Sequence, residues 1–577
     1  MERRVLLAIF LSFLVLYTYQ SLFVPASTPA PSAVPSPNAT DASAAAHKPA
    51  PAAAESAAAQ PATPTAPPLV GDTAERDVRV ETDEVIAVFT NRGARLKSWR
   101  LKHYRDEKGE PLELVAGELG SAQPLPFSLR VPDDAATKTL NSALYEVKSA
   151  PADATAAPSS PLIFEYHDSA GLQAVKEFRF DPAPYVLTFR ASVKIGDRPV
   201  VPVIEWGPAV SPGSREVGSY ARQAGGLIYQ SGKLQRIAAG DLAAQSVFEG
   251  ALDYAGVDDH YFVTMAISPG VSKVSYRPVA IPAAAGSTSD DAAQLMSWSI
   301  EAPTSPEATV KFFAGPKDLV KLQAIDPALG KVIDFGWFDF IVVPLLRALN
   351  WIHGYVGNYG WSIIILTILI NAVMFPLRHK SVVSMRKMQD IQPEAKAIQE
   401  RYAKLKASDP ARQKMNQELM ALYRERGVNP ASGCVPMLMT MPVFFAFYAM
   451  LTVAIELRGA PFFGWIHDLS RPDPLYIVPI LMGLTQIWQM RITPQTGTDP
   501  AQQKMMMVMP VVFMFFFLWT SAGALLYWLV SNVWGIGQQY LTNYLLGPPA
   551  VRAVRPPAER RMKRVGSGKT EAASRED

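Results

Sequence analysis

Cysteine is almost absent from this 577-residue chain, where Cys434 stands alone. One cysteine excludes an intramolecular disulfide and any cysteine cage for zinc. Its place at the head of an apolar run suits a small buried side chain better than a reactive thiol. The seven histidines are scattered without ligand spacing, and no Ser/His/Asp set or pair of carboxylates is arranged for catalysis. Neither an enzyme nor a cofactor is expected. A large charge excess is missing too, since 55 basic and 52 acidic residues leave only +3, and no DNA partner is expected. The tail segment Gly566-Ser567-Gly568-Lys569-Thr570 looks like half a phosphate-binding loop, but Lys563 stands where its first glycine belongs. Without that glycine, a preceding strand or room for a following helix, the motif fails.

The two halves of the chain differ in kind. Residues 5–24 form an apolar run behind Glu2, Arg3 and Arg4. They suit a retained anchor (residues 1–24) or a signal peptide, and either reading sends the next part of the chain across a membrane. Residues 25–70 are mostly Ala, Pro, Ser and Thr, a composition that buries too little apolar surface to order itself, so a mobile tether is expected. Residues 71–330 read as strands. Leu187, Phe189, Ala191, Val193 and Ile195 alternate with Thr188, Arg190, Ser192 and Lys194, the period of a half-buried strand. A second strand is expected from Glu84 to Thr90, with a turn at Asn91-Arg92-Gly93. Many such strands imply a β-sandwich with its own core.

Past residue 330 the pattern is helical. Residues 331–356 carry Trp337, Trp351 and Tyr355 around Ile341, Val342, Leu345, Leu346 and Leu349. They predict an amphipathic helix lying in a membrane interface or packed beneath the β-domain. Five apolar stretches come next, at 359–377, 435–455, 475–490, 505–519 and 524–546; with 5–24 they make six spans. Residues 376–432 hold 12 Lys/Arg against 6 Asp/Glu, and 547–577 hold 8 against 4. Positive charge gathers on the cytoplasmic side, so both termini are placed there and the β-domain in the periplasm. The stretches 475–490 and 505–519 have only 16 and 15 residues, reaching about 22–24 Å in a layer of about 30 Å. Pro479 and Pro510 are expected to weaken them, and such spans thin the bilayer or admit water.

Between the second and third spans, residues 379–428 predict a helical hairpin. Met385, Met388, Ile391, Ala395, Ile398, Tyr402 and Leu405 make one stripe, and Met415, Leu419 and Leu422 the returning one. Ser408-Asp409-Pro410 forms the turn, with Gly427 and Pro430 at the end. The stripe is either a helix–helix seam or a peptide-binding surface. In the tail, Arg552, Arg555, Arg560, Arg561, Lys563 and Arg564 form a basic arm suited to anionic lipid, at about 1 kcal/mol per charge, or to ribosomal RNA.

Specific residue runs resemble the YidC insertases of Gram-negative bacteria, within the Oxa-type family. They include Ile333-Asp334-Phe335-Gly336-Trp337, Trp351-Ile352-His353, Gly357-Asn358-Tyr359-Gly360, Val428-Asn429-Pro430 and Gly433-Cys434-Val435-Pro436. Glu456-Leu457-Arg458, Trp465-Ile466-His467-Asp468-Leu469, Pro479-Ile480-Leu481-Met482-Gly483 and Leu529-Val530-Ser531-Asn532 continue the pattern. The likeness is dense over 330–546 and loose over the β-domain. It implies a multi-domain membrane protein, with a five-helix core (357–546) around a hydrophilic groove open to cytoplasm and lipid, and a periplasmic β-supersandwich. It also implies nascent membrane proteins as substrates, with SecYEG, SecDF and the ribosome as partners.

Where the family usually carries a groove arginine or lysine, this chain has Asn371; where the family has a glutamine, it has Thr440. A polar rather than charged groove is therefore expected, lined by Thr367, Asn371, Thr440, Gln486, Ser531 and Asn532. Each of these also fits a plain interhelical hydrogen bond. The resemblance puts Tyr527 and Trp528 where substrate helices pass, and lipid-facing aromatics are the alternative. A transporter or channel would show an inverted repeat, which is not evident. A sugar-binding role for the β-domain rests on fold analogy alone.

Overall fold

The computed structural model describes residues 68–547, except 107, 117–122, 150–159, 210–222, 281–293, 302–308, 403–410, 428–434 and 494–499. The anchor, nearly all of the tether, Cys434, the turn at 408–410 and the basic tail lie outside the described residues.

The first described residues, Pro68–Val70, lie inside the segment expected to be tether. Pro68–Val70 pairs antiparallel with Leu162–Asp168, so a strand partner supplies the hydrogen bonds that composition alone does not promise. Among the described residues, fourteen strands share one sheet and four form a second. The large sheet runs from Leu162–Asp168 through Leu172–Phe180, Val186–Ile195, Thr309–Pro316 and Phe262–Ala280 to Val247–Asp258. In Val186–Ile195 the alternation holds as expected: Leu187, Phe189, Ala191 and Val193 are buried. The predicted strand at 84–90 is Val85–Thr90, and it pairs with Asp77–Glu81 and Arg95–Arg105 in the small sheet.

The two sheets form a sandwich by facing aromatic rings together. Phe89 of the small sheet meets Phe178 at 4.7 Å, and Trp99 stacks on Phe180 at 6.2 Å. Phe127 touches Phe178, Phe189, Trp206 and Phe312, all within 5.2 Å. One core position breaks the apolar rule. Lys176 is fully buried and donates to the carbonyls of Gly93, Ala94 and Phe127 at 2.6, 3.3 and 2.8 Å. Those three acceptors match its three N–H donors, and burial holds its pKa well below the usual lysine range.

The helices are α1 (Asp134–Ser142), α2 (Leu319–Ile325), α3 (Asp339–Val356), α4 (Tyr359–Asp390), α5 (Gln392–Arg401), α6 (Ala411–Glu425), α7 (Val435–Val453), α8 (Ile477–Ile492), α9 (Pro500–Phe516) and α10 (Ala522–Leu546). Gly357, at φ +69°, ends α3 in the left-handed conformation. Asn358 then caps α4 by accepting from the Trp361 N–H at 3.1 Å. Among the described residues, α4 is the one helix long and apolar enough to cross a membrane by length and composition. It overruns the expected stretch and ends at Asp390, because Pro393 cannot continue the hydrogen-bond ladder.

Met385 and Met388 therefore belong to α4 and not to a hairpin arm. The hairpin consists of α5 and α6. Glu394 meets Arg426 at 2.8 Å and Arg401 meets Glu418 at 2.9 Å, so the pair runs antiparallel. Ala395, Leu419 and Leu422 are buried between them with Met415 beside. This part of the stripe forms a seam between α5 and α6, and Leu405 lies outside the described residues.

Two further expectations change. Pro479 is the third residue of α8, where a missing N–H is harmless, so it does not weaken that helix. Pro510 does lie inside α9. In α3 one face (Val342, Leu346, Leu349, Ile352) is buried and packs on α4 and α7, while Trp337, Phe340, Trp351 and Tyr355 are exposed.

A polar joint ties the sandwich to the helices. Lys317 and Arg236 both reach Asp258, at 3.0 and 2.6 Å, and Arg236 also donates to the Val332 carbonyl at 2.5 Å. His260 lies 2.8 Å from the Thr452 carbonyl at the end of α7. Burial pushes the neighbouring Asp259 carboxyl up to about 6.

Candidate functional site

The chemistry-bearing side chains of the helical half gather where α10 lies between α4 and α8. On the α4 side, Asn371 is 4% exposed. Its amide donates to the Thr367 carbonyl at 2.8 Å and to the Ser531 hydroxyl at 3.4 Å. The Thr367 hydroxyl turns back to its own helix, donating to the Ile363 carbonyl at 2.6 Å. On the α8 side, the Trp528 indole N–H donates to the Gln486 side-chain Oε1 at 2.9 Å. Asn532 donates to the Met482 carbonyl, to Thr485 and to Gln486, at 3.2, 3.2 and 3.3 Å. The expected lining is thus two seams on either side of α10. Gln486 and Asn532 behave as interhelical ties, the ordinary role of amides between membrane helices. Thr440 is half-buried on α7.

Tyr527 is neither lipid-facing nor open. It is buried at 9% exposure and stacks on Phe447 of α7 at 4.3 Å. Trp528 packs between Phe444 and Phe517, at 5.2 and 5.0 Å. Residues 527 and 528 sit where α10 meets its neighbours, so packing takes both rings inward.

Arg378 is the residue that sequence reasoning misses. Its guanidinium donates to Asn371 Oδ1 at 2.8 Å. Seven residues are two helical turns, about 10.5 Å, and helical side chains lean toward the N-terminus, so the arginine reaches back along α4 to the amide. The spacing carries a signal, because i and i+7 share a helix face, but a count of loop charge takes in Arg378 without showing where it points. Among the described residues it pairs with no carboxylate.

The α4–α10 seam continues past Arg378. Ser381 on α4 and Gln538, Gln539 and Thr542 on α10 are buried, and His379 lies 3.2 Å from the Thr542 hydroxyl. Among the described residues, both amide atoms of Gln538 and one guanidinium nitrogen of Arg386 are buried with no hydrogen-bond partner.

Comparison with known proteins agrees with this architecture. A family model described as the YidC periplasmic domain matches residues 77–348, and one described as 60Kd inner membrane protein matches 351–547. A membrane protein insertase YidC from Syntrophus aciditrophicus is 35% identical over 565 residues, 94% of this chain and 99% of the relative. One from Pelobacter propionicus is 35% identical over 576 residues, 95% of this chain and all of the relative. A solved YidC insertase structure covers 83% of this chain and 95% of its own, at 17% identity and a TM-score of 0.34. The sandwich, the helical half and an identity that runs nearly end to end converge on one assignment: the chain belongs to the YidC family of membrane protein insertases.

Proposed function

We propose that the chain inserts hydrophobic segments of nascent membrane proteins into the inner membrane by way of the polar seam between α4 and α10. The observation that carries this reading is the Arg378–Asn371 contact. A guanidinium drawn about two turns into an apolar helix is costly, about 3 kcal/mol on insertion scales, and gives a polar or acidic stretch of substrate something to exchange for water. Asn371 holds that cation and Ser531 holds the amide, so the family's charge is kept in a different place. A charged seam thus replaces the uncharged groove that Asn371 alone implies. No covalent chemistry is assigned to any residue.

The reading includes six spans with both termini in the cytoplasm, the sandwich in the periplasm, and the α5–α6 hairpin on the cytoplasmic side. Charge supports it, since basic residues outnumber acidic ones two to one in 376–432 and in 547–577. Domain limits are then an anchor (1–24), tether (25–67), sandwich (68–330), amphipathic helix (331–356), insertase core (357–546) and basic tail (547–577). SecYEG, SecDF, ribosomes and anionic lipid are the partners that the family resemblance implies.

The test is reconstitution into liposomes with a single-span substrate whose translocated segment is acidic. A protease-protected fragment is expected with the natural chain, and a several-fold smaller yield with Arg378→Gln. Equal yields from both remove Arg378 from the mechanism, and no fragment from either ends the reading as a stand-alone insertase.

A further inference from the structure

The loop between α7 and α8 meets the sandwich across a cavity of about 540 Å³. One wall is the end of the strand Arg95–Arg105 with Asp106, and the other is the loop from Arg458 to Pro474. That volume is in the range of ordinary ligand pockets, about 300–1,000 Å³. Three arginines, Arg105, Arg458 and Arg471, line it against two carboxylates, Asp106 and Asp468.

Each carboxylate is already held through its Oδ1 oxygen. Asp106 accepts from the Lys108 and Glu110 N–H groups, each at 2.9 Å. Asp468 accepts from the Ser470 N–H and hydroxyl at 2.9 and 2.7 Å, with Arg471 at 3.6 Å. Arg458 and Arg105 are less fully used. Arg458 lies over the Phe262 ring at 5.2 Å and gives one N–H to the Arg105 carbonyl at 3.3 Å. Arg105 gives one N–H to the Gly109 carbonyl at 2.6 Å. Each guanidinium has five N–H donors in a planar fork that matches phosphate oxygens.

The surroundings say where the anion comes from. The cavity lies beyond the end of α7 and before the start of α8, the level at which two proposed spans leave the bilayer. Phe463, Leu475 and Tyr476 are exposed beside its lining, at 67, 56 and 43%. Trp465 is pinned at its wall by a 2.8 Å hydrogen bond to Asp473. An apolar rim around a cationic hollow at this level fits a molecule with an anionic head and greasy tails.

We propose that this cavity binds the anionic phosphodiester headgroup of a lipid in the leaflet facing the sandwich. Arg105 and Arg458 hold the phosphate, and the acyl chains lie along Phe463 and Leu475. The bound lipid bridges the sandwich to the α7–α8 loop and so steadies the sandwich over the membrane.

Native mass spectrometry of the full chain tests this, with the detergent-purified protein offered phosphatidylglycerol, phosphatidylcholine or inorganic phosphate at one concentration. One phosphatidylglycerol is expected to be retained, about tenfold more than phosphatidylcholine, a difference of about 1.4 kcal/mol, with no phosphate adduct. Arg105→Gln, at an exposed side chain, lowers retention several-fold without moving the thermal unfolding midpoint, and adding Arg458→Gln lowers it further. Equal retention of the two lipids, phosphate bound as tightly as lipid, or retention unchanged in both variants overturns the proposal. Insertion is assayed on the same preparations. A chain that inserts substrate but shows no headgroup preference sinks this pocket alone and leaves the polar seam standing.

Discussion

The sandwich and the helical half are built inside out with respect to each other. Among the described residues, five large exposed apolar side chains precede residue 330 and thirty-three come after it. The sandwich hides its aromatics, so that Phe89, Phe127, Phe178 and Phe189 are fully buried, and it meets water with charge. The helical half turns Phe516, Tyr544 and Leu545 outward and keeps Asn371, Asn532 and Gln538 inside. One chain thus answers to two solvents. For the first half burial away from water supplies the driving force; for the second the surroundings are as apolar as the side chains, and polar contacts and close packing hold the helices together.

Four experiments sharpen or break that contrast. The largest effect is expected in the sandwich: Phe178→Ala should cost about 3–5 kcal/mol in urea unfolding followed by tryptophan fluorescence. The same truncation at Phe516 should cost well under about 1 kcal/mol. Comparable losses at the two sites would mean that the outward rings of α9 are core after all.

Next comes pH. The Asp259 carboxyl is raised by burial from 3.8 to about 6, so the folded state binds its proton more tightly than the unfolded one. Its contribution is complete below about pH 4 and is lost as pH rises through about 6, a change of about 3 kcal/mol for a rise of that size. The stability difference between the natural chain and Asp259→Asn should therefore slope across pH 4–6 and flatten above it. A flat difference throughout would contradict the assignment.

A smaller effect, about tenfold or 1.4 kcal/mol, is expected on the insertion rate of acidic substrates in Arg378→Gln, with neutral substrates changed less. Arg378→Lys should recover only part of the loss, because an ammonium lacks the planar fork. Uniform loss for every substrate would make Arg378 a structural tie. The smallest effect belongs to the α8–α10 seam, where Trp528→Phe removes one hydrogen bond to Gln486 and should cost about 0.6 kcal/mol in a thermal melt, with insertion unchanged.

Much of this is legible in the residues. Alternation at 186–195 and the turn at Asn91-Arg92-Gly93 are local rules, in which each residue's neighbours settle its conformation. Helix ends are less legible: α4 runs on to Asp390 because charged residues continue a helix as readily as apolar ones, and only Pro393 stops it. Proline at 479 misleads because its effect depends on its distance from the helix start, which apolar runs do not mark.

The sequence by itself determined the division of labour, one half patterned for water and the other for lipid, because period and hydropathy are carried by near neighbours in the chain. It also carried the family, through runs such as Trp465-Ile466-His467-Asp468-Leu469. Only the tertiary structure decided which polar groups meet. Lys176 finds three carbonyls 49 to 83 residues away in sequence, Gln486 finds Trp528, and Arg378 finds Asn371. Such pairings depend on which helix face turns toward which neighbour, and that rotation is set by side-chain packing summed over the whole bundle, a quantity no local pattern contains.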